Sequence, residues 1–524
     1  MRIETLLSQN LRERPTKTAV AAGDLRLTYG DLDRQSDRLT RQMATRGAVC
    51  GDRIVFLLDN GCEAVVAFFA AWRLGAVACP LHPTIKAEKL ADILRSVEPT
   101  VILCAARLVP VVEAACRLAG SDPVLIAVAG GAAPPVGFLC FEDLVAADGL
   151  SHDATSPAPA VDSVDALALL IHTSGSTGRP KGVMLSHANV FAACTSIVGY
   201  LDNAEDDIVL SVLPLSHGYG ITQMVTMAMV GGTLILEKSF AFPQVILSRL
   251  KSETVTGFPL VPAMATQLVG MADFSEQTLA HLRYITSAAA AMPPVTTAHL
   301  LEKLPQARLY LMYGQTECLR TAYLPPSEAA DRPLSVGHAI PGTRVAILDD
   351  EGMPVEPEVV GELVVEGPHV MQGYWRDAVA TTAALRPGPN GPRLHTSDLF
   401  RVDHQGFLHF VARRDDIIKT RGEKVSPQEV ERVLYALPGI REAAVEGVAD
   451  ALYGQVVKAH IAAEPSAGLT ERLVQRHCAA HLEDFMVPKL VEFHDVLPKT
   501  ATGKIRLNAE PADAHNINEG SRTA

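Results

Sequence analysis

No apolar run in this 524-residue chain is long enough to cross a bilayer. The most apolar stretch, residues 64–72, is closed off by Glu63 and Arg73. Residues 1–14 interleave Glu4, Arg12, Glu13 and Arg14 with their apolar neighbours, so the unbroken h-region of a secretory signal is missing and a cytoplasmic location is expected. Cysteine is sparse and unpatterned. The nine cysteines are odd in number, scattered, and never spaced C-x-x-C, which excludes a zinc ribbon or a disulfide scaffold and predicts reduced thiols. Cys318 is read as a small packed hydrophobe rather than a nucleophile. Positive charge is also in deficit: 46 Lys and Arg against 59 Asp and Glu leave a net charge of -13, which opposes non-specific binding to nucleic acid. There is no internal repeat, no low-complexity tract and no Ser/His/Asp arrangement that suggests a hydrolase.

What is present is ordinary globular composition, 48% apolar and 20% charged, at a length that one hydrophobic core seldom serves, so two or more domains are expected. Leu90, Ile93, Leu94 and Val97 fall at i, i+3, i+4 and i+7 and precede the strand-like residues 101–104. The same βα alternation recurs around residues 207–213, 233–236 and 309–312, predicting a mainly parallel α/β core with ligands at the C-terminal ends of its strands. From Ala339 onward, short strands at residues 342–348 and 361–365 between Pro/Gly turns predict a small β-barrel-like unit. Residues 129–159, rich in Gly, Ala and Pro, read as a surface excursion.

The charged quartet at residues 413–416 marks a boundary: 1–414 as a large α/β domain and 415–524 as a small α+β domain. The small domain opens with Ser426 as N-cap, Pro427 at N1 and Glu429 at N3, with Val430, Val433, Leu434 and Leu437 on one face. Residues 508–524 are polar enough to be disordered.

Thr173-Ser174-Gly175-Ser176-Thr177-Gly178-Arg179-Pro180-Lys181-Gly182 follows the apolar strand at residues 166–171. Three glycines allow backbone N–H groups to converge on an anion, four hydroxyls can donate to its oxygens, and Lys181 supplies charge. Gly175, Gly178 and Lys181 do not have the G-x-x-x-x-G-K-[ST] spacing. The segment alone indicates phosphate binding and names no reaction.

This segment resembles the signature of the adenylate-forming superfamily of acyl-CoA synthetases, luciferases and peptide-synthetase adenylation domains. Leu27-Thr28-Tyr29, Arg73-Leu74-Gly75-Ala76, residues 213–220, Tyr313-Gly314-Gln315-Thr316-Glu317, residues 396–399, residues 413–422 and Gly503-Lys504 resemble its further motifs in order, nearly end to end. The resemblance implies ATP-dependent activation of a carboxylic acid to acyl-AMP, then transfer to a thiol, of CoA or of phosphopantetheine on a separate carrier protein. It implies that Thr173, Ser174, Gly175, Ser176, Thr177, Gly178 and Lys181 hold the β- and γ-phosphates, that Thr316 meets the α-phosphate, and that Glu317 ligates Mg2+. Tyr313, with Gly314 and Gln315 in its motif, is implied on one side of adenine and Ala288, Ala289 and Ala290 on the other. Asp398 and Arg413 are implied at the ribose, and Lys504 as the catalytic lysine of a rotating small domain. Asp415 is implied as hinge, Gly422 at the thiol tunnel, Lys424 near phosphate, and His217 at the carboxylate end of the acyl pocket. A carboxylate is already ionised at neutral pH, so such a reaction needs positioning and charge stabilisation rather than a base.

Ala288-Ala289 stand where the pattern has Gly-Gly, Ser397 where it has Gly before Asp398, and Ala412 where it has Gly before Arg413. These are tolerable unless the backbone there needs φ > 0. The segments expected around the acyl group, residues 216–220, 257–262 and 288–292, contain no acidic residue. A neutral, largely apolar acid is therefore expected rather than an amino acid, with the reservation that Arg320 could point inward. A nucleotide-binding relative without catalysis is the reading from another class, and the presence of Glu317, Asp398 and Lys504 argues against it.

Overall fold

The computed structural model describes residues 1–130, 133–146, 163–174, 180–389, 391–420, 423–450, 453–464, 466–499, 505 and 507. The polar tail expected to be disordered lies outside these residues.

Two mixed sheets carry most of the chain. One has nine strands; its inner members, Thr18–Ala22, Thr233–Leu236, Ile208–Ser211, Gly257–Leu260, Tyr284–Ser287 and Arg308–Tyr313, run parallel, and antiparallel strands close both edges. The other has eight strands, with Arg53–Leu57, Val77–Pro80, Val101–Ala105 and Val124–Val128 parallel and the hairpin Leu167–Ser174/Pro180–Ser186 on one side. The inner strands are near-continuous apolar runs because both of their faces are covered.

The expected helix forms as Ala87–Val97, burying Leu90, Ile93, Leu94 and Val97. The most apolar stretch becomes the helix Cys62–Leu74, buried nearly all round between the sheets and ended by Gly75 at φ 78°. Tyr29–Ala44 packs on it and starts at a capping box, in which Thr28 and Asp31 satisfy each other's backbone amide. Among the described residues no helix is long and apolar enough to cross a membrane.

The β-rich unit is a five-stranded antiparallel sheet, Arg344–Leu348, Gly361–Glu366, Leu385–Gly388, Gly391–Val402 and Leu408–Arg413, and its described strands do not close into a barrel. Of the segment read as a surface excursion, residues 129–130 and 133–146 are described and are more ordered than their composition suggests, while residues 131–132 and 147–159 lie outside the described residues. Leu139–Cys140 pairs with Val124–Val128, and Phe141–Ala146 is a helix that buries Phe141 and Leu144, so two large apolar side chains outweigh the Gly/Ala/Pro content.

Residues 418–494 build a fourth sheet with its own apolar core of Ile418, Val425, Val430, Leu434, Val457, Ile461 and Val474. Its first helix, Pro427–Tyr435, has Ser426 at the N-cap position, but the expected side-chain cap is not made. The Ser426 hydroxyl instead donates to the Val411 carbonyl across the segment join.

The layout gathers the candidate residues on one edge. Ala288 to Ala290 follow the strand Tyr284–Ser287, Tyr313 ends Arg308–Tyr313, and the turn reaching His217 follows Ile208–Ser211. All three strands are parallel, so these turns leave the same edge of the sheet, where open α/β sheets bind ligands.

Candidate active site

Thr173 and Lys181 face each other across the hairpin Leu167–Ser174/Pro180–Ser186. A Cβ on Gly182 would lie 2.9 Å from Leu170 Cδ1 and 3.3 Å from Trp375 Cβ, so glycine lets the hairpin close against its neighbours. Gly175, Ser176, Thr177, Gly178 and Arg179 lie outside the described residues, as does the side chain of Ser174. The Lys181 ammonium stands 5.2 Å from the centre of the Tyr374 ring, and the Tyr374 hydroxyl donates to Glu317 Oε1 at 2.8 Å. Burial, then the nearby Glu317 carboxylate, push the Tyr374 phenol well above its ordinary pKa, so it remains a donor.

The turn after Arg308–Tyr313 folds back sharply. A Cβ on Gly314 would sit 2.6 Å from Leu319 O and 2.9 Å from Arg320 Cα, and Leu319 takes φ 58° to complete the reversal. Thr316 and Glu317 are half-buried in this turn. Across from it, Asp398 is held at both oxygens. The Tyr313 hydroxyl and Gln315 Nε2 (2.7 Å) donate to Oδ2, and Arg413 Nε lies 3.2 Å from Oδ1. Gln315 Nε2 also reaches the Thr396 carbonyl at 3.0 Å, and Thr396 Oγ1 accepts from the Asp398 amide at 3.1 Å. The Asp398 side chain is only 4% exposed, whereas that of Arg413 is 52% exposed. Burial and Asp398 raise the Tyr313 phenol far above its usual pKa, so the proton stays on the tyrosine.

Ala288 is buried, while Ala289 and Ala290 are exposed at the strand end. Of the four positions where small residues replace glycine, Ala289 (φ 76°) and Ser397 (φ 57°) adopt left-handed backbone, and Ala288 and Ala412 do not.

On the third side, Asn60 grips the turn at residues 213–215, donating to the Leu213 carbonyl at 3.0 Å and accepting from the Leu215 amide at 3.0 Å. Gly220 is required there, since a Cβ would fall 2.3 Å from the Pro214 carbonyl oxygen. His217 is the N-cap residue of the helix Gly218–Val230, without a side-chain cap bond. Its ring lies 5.9 Å from that of His82, and burial lowers its pKa, which keeps it neutral at pH 7. Arg320 is 2% exposed and lies with its guanidinium 5.0 Å from the Tyr219 ring. Cys318 is fully buried, its thiol pushed up to about 11 by burial, as a packed hydrophobe requires and a nucleophile does not.

The structure thus brings together two groups that are distant in sequence: Lys181 with Glu317, and Tyr313 and Gln315 with Asp398 and Arg413. Lys504 and Gly422 lie outside the described residues, and so do the side chains of Asp415 and Lys424. Tyr374, which links Lys181 to Glu317, escaped the sequence reading. The available signal was local: an aromatic pair, Tyr374-Trp375, after Gly373 at φ 133°. Its partners are set by the pairing of Gly373 with Met184 and Tyr374 with Val183.

The donor set fits a nucleotide and a hard cation. Glu317 spends one oxygen on Tyr374, and its other oxygen would be the one to hold a divalent ion. Asp398 and Arg413 can accept from and donate to a sugar diol.

The model of the AMP-binding enzyme family matches residues 7–375, and that of the AMP-binding enzyme C-terminal domain matches residues 429–504. The chain is 31% identical to an indoleacetate–CoA ligase of Aromatoleum aromaticum over 94% of each chain. It is 32% identical to a feruloyl-CoA synthase of an Amycolatopsis species over 94% of this chain and 95% of the relative. Among solved structures, ATP-bound MatB from Rhodopseudomonas palustris superposes with TM-score 0.86 at 28% identity, covering 96% of this chain and 97% of that one. The anthranilate CoA ligase AuaEII in complex with anthranoyl-AMP superposes with TM-score 0.85 at 25% identity, covering 96% of this chain and 95% of the other.

Proposed function

Because this chain belongs to the AMP-binding enzyme family, as an acid–thiol ligase of the acyl-CoA synthetase type, we propose that the residues gathered around Asp398 and Glu317 form its adenylation site. The enzyme activates a carboxylic acid as acyl-AMP at the expense of ATP and passes the acyl group to CoA. In the first half-reaction an acid oxygen attacks the α-phosphorus and pyrophosphate leaves. In the second, a thiol sulfur attacks the acyl carbon and AMP leaves with the oxygen that bridged them.

The observation that carries the site reading is the engagement of Asp398 on both oxygens by Tyr313, Gln315 and Arg413. A carboxylate fixed in this way is pre-organised to accept the two ribose hydroxyls, at little cost in side-chain entropy on binding. Tyr313 presents its ring to adenine with its hydroxyl tied to the ribose carboxylate, and Ala288, Ala289 and Ala290 form the opposite wall. Thr173, the loop at residues 174–178 and Lys181 hold the β- and γ-phosphates, Thr316 donates to the α-phosphate, and Glu317 ligates the magnesium ion. Bound there, Mg2+ offsets the negative charge that gathers on the phosphates. His217, neutral at pH 7, borders the acid carboxylate.

Residues 1–414 supply nucleotide and acid contacts, while residues 415–524 bring Lys504 to the reacting oxygens and then, turning about Asp415, open a path for the thiol. The nine cysteines, all free, suit a reducing cytoplasm.

The test is acid-dependent pyrophosphate exchange across aliphatic, aromatic and amino acids, followed by thioester assays with CoA and with a phosphopantetheinylated carrier protein. Exchange with a carboxylic acid and thioester formation on CoA support the reading. Absence of exchange across the whole panel contradicts it, and a thioester on the carrier alone reassigns the acceptor. Lys504→Ala should abolish exchange while sparing thioester formation from supplied acyl-AMP. Equal loss of both steps would remove Lys504 from the assigned role.

A further inference from the structure

Arg320 is 2% exposed, and its Nε is buried with no hydrogen-bond partner. Among the described residues no hydrogen bond or ion pair joins its guanidinium to a carboxylate, hydroxyl or carbonyl, and the guanidinium lies 5.0 Å from the centre of the Tyr219 ring. Among the groups that feel its charge are Cys194, Tyr200, Tyr219 and Cys318, thiols and phenols whose burial keeps them protonated, so none of these neutralises it. A guanidinium cannot shed its proton to escape this, and an unpaired buried cation is among the costliest features a fold can keep.

The position of Arg320 explains what the cost could serve. The turn carrying it packs against the start of the helix Gly218–Val230: a Cβ on Gly218 would meet Leu319 Cδ2 at 2.7 Å. The first amides of that helix have no partner within it, and His217 offers no side-chain cap, so the helix adds its positive end to the charge of Arg320. None of the segments expected around the acyl group, residues 216–220, 257–262 and 288–292, carries an acidic residue to offset either. Glu317 and Arg320, three positions apart in one turn, are directed to opposite sides. Glu317 meets Tyr374, on the phosphate side, and Arg320 lies over the Tyr219 ring, near enough to Tyr200 for its charge to be felt there.

We infer that Arg320 is the counter-charge for a second carboxylate at the far end of the acid, which makes the substrate a dicarboxylic acid. This rests on the adenylation reading above and replaces the sequence-based expectation of a neutral acid. The acid enters with one carboxylate toward the α-phosphate and the other against Arg320 and the helix end, where each charge finds its partner. A monocarboxylate of the same length leaves Arg320 unpaired in a pocket its own tail has dried, which is the condition under which a buried polar site rejects a ligand most strongly.

Pyrophosphate exchange with matched pairs decides the matter: butanoate with succinate, hexanoate with adipate, benzoate with terephthalate. In the pair that fits the pocket, the dicarboxylate should exceed its partner in kcat/KM by about thirtyfold or more, the scale of losing one partner of a buried charge pair. Arg320→Met should collapse that ratio toward one through KM for the acid, leaving KM for ATP unmoved, and Arg320→Lys should restore part of it. The inference is overturned if every pair that exchanges favours the monocarboxylate, or if Arg320→Met leaves the ratio unchanged. Should Arg320→Met not fold, the wild-type ratios and Arg320→Lys decide between the same two outcomes. Exchange with monocarboxylates alone sinks this inference and leaves adenylation standing, whereas no exchange with any acid sinks both.

Discussion

Asp398 and Arg413 face each other on one rung of the antiparallel pair Gly391–Val402/Leu408–Arg413, with Oδ1 and Nε 3.2 Å apart. Asp398→Asn keeps the shape but removes the charge that Tyr313, Gln315 and Arg413 converge on. KM for ATP in pyrophosphate exchange should rise on the order of 10- to 100-fold, since one charge-assisted contact is worth about 1.5–3 kcal/mol. An unchanged KM for ATP would take Asp398 out of the nucleotide site.

Tyr374→Phe removes the hydroxyl that orients Glu317 while keeping the ring beneath Lys181. Loss of such a supporting bond weakens metal affinity by about 10- to 100-fold. Titration of exchange activity with Mg2+ should show a midpoint raised by that factor, with most of the rate recovered at saturating metal. A midpoint that does not move would place the ion elsewhere.

Backbone conformation separates the four positions where small residues replace glycine, Ala288, Ala289, Ser397 and Ala412. Ala289 and Ser397 hold φ 76° and 57°, and each left-handed residue with a Cβ costs about 1–2 kcal/mol. Ala289→Gly and Ser397→Gly should each stabilise the fold by about 0.5–1 kcal/mol after the extra freedom of glycine in the unfolded chain is counted, read as a higher urea midpoint. Ala412→Gly, at a buried strand position without positive φ, should lower it. The opposite order would mean that these loops relax around the side chains.

These positions also show what the sequence could and could not disclose. The parallel strands and Ala87–Val97 were readable because burial imposes a period on apolar residues, and the motifs holding Asp398, Arg413 and Glu317 pointed to residues that the fold places near Tyr313, Gln315 and Tyr374. Tyr374 was not, since its role arises from pairing with Val183, nearly two hundred positions away. Nor was the direction of Arg320, because nothing local says whether a charged side chain after a sharp turn faces solvent or core. The left-handed φ at Ala289 and Ser397 was hidden for a related reason: both residues are small, and smallness alone does not report backbone sign.

Two fully buried histidines set an acid limit on stability. Burial, then the nearby Arg2 charge, lowers His187 to about 3, and burial lowers His369 to about 4. His187 Nδ1 accepts the Ile3 amide, a bond that ring protonation would end. Both side chains regain an ordinary pKa near 6.5 on unfolding, so below that pH the unfolded chain binds protons that the folded one does not. The urea midpoint should therefore hold above pH 6.5 and fall steadily as the pH drops toward 4. A midpoint that is flat or rising over that interval would show that these rings are not buried neutral.

The most direct test of acyl-adenylate formation follows a single oxygen. The acid is supplied with both carboxylate oxygens as 18O, together with ATP, Mg2+ and CoA, and the products are examined by mass spectrometry. Attack of the carboxylate on the α-phosphorus, then thiolysis at the acyl carbon, leaves a single labelled oxygen in AMP and none in pyrophosphate. Label in pyrophosphate or inorganic phosphate, with AMP unlabelled, would mean attack at another phosphorus and would contradict the adenylation site built around Asp398 and Glu317.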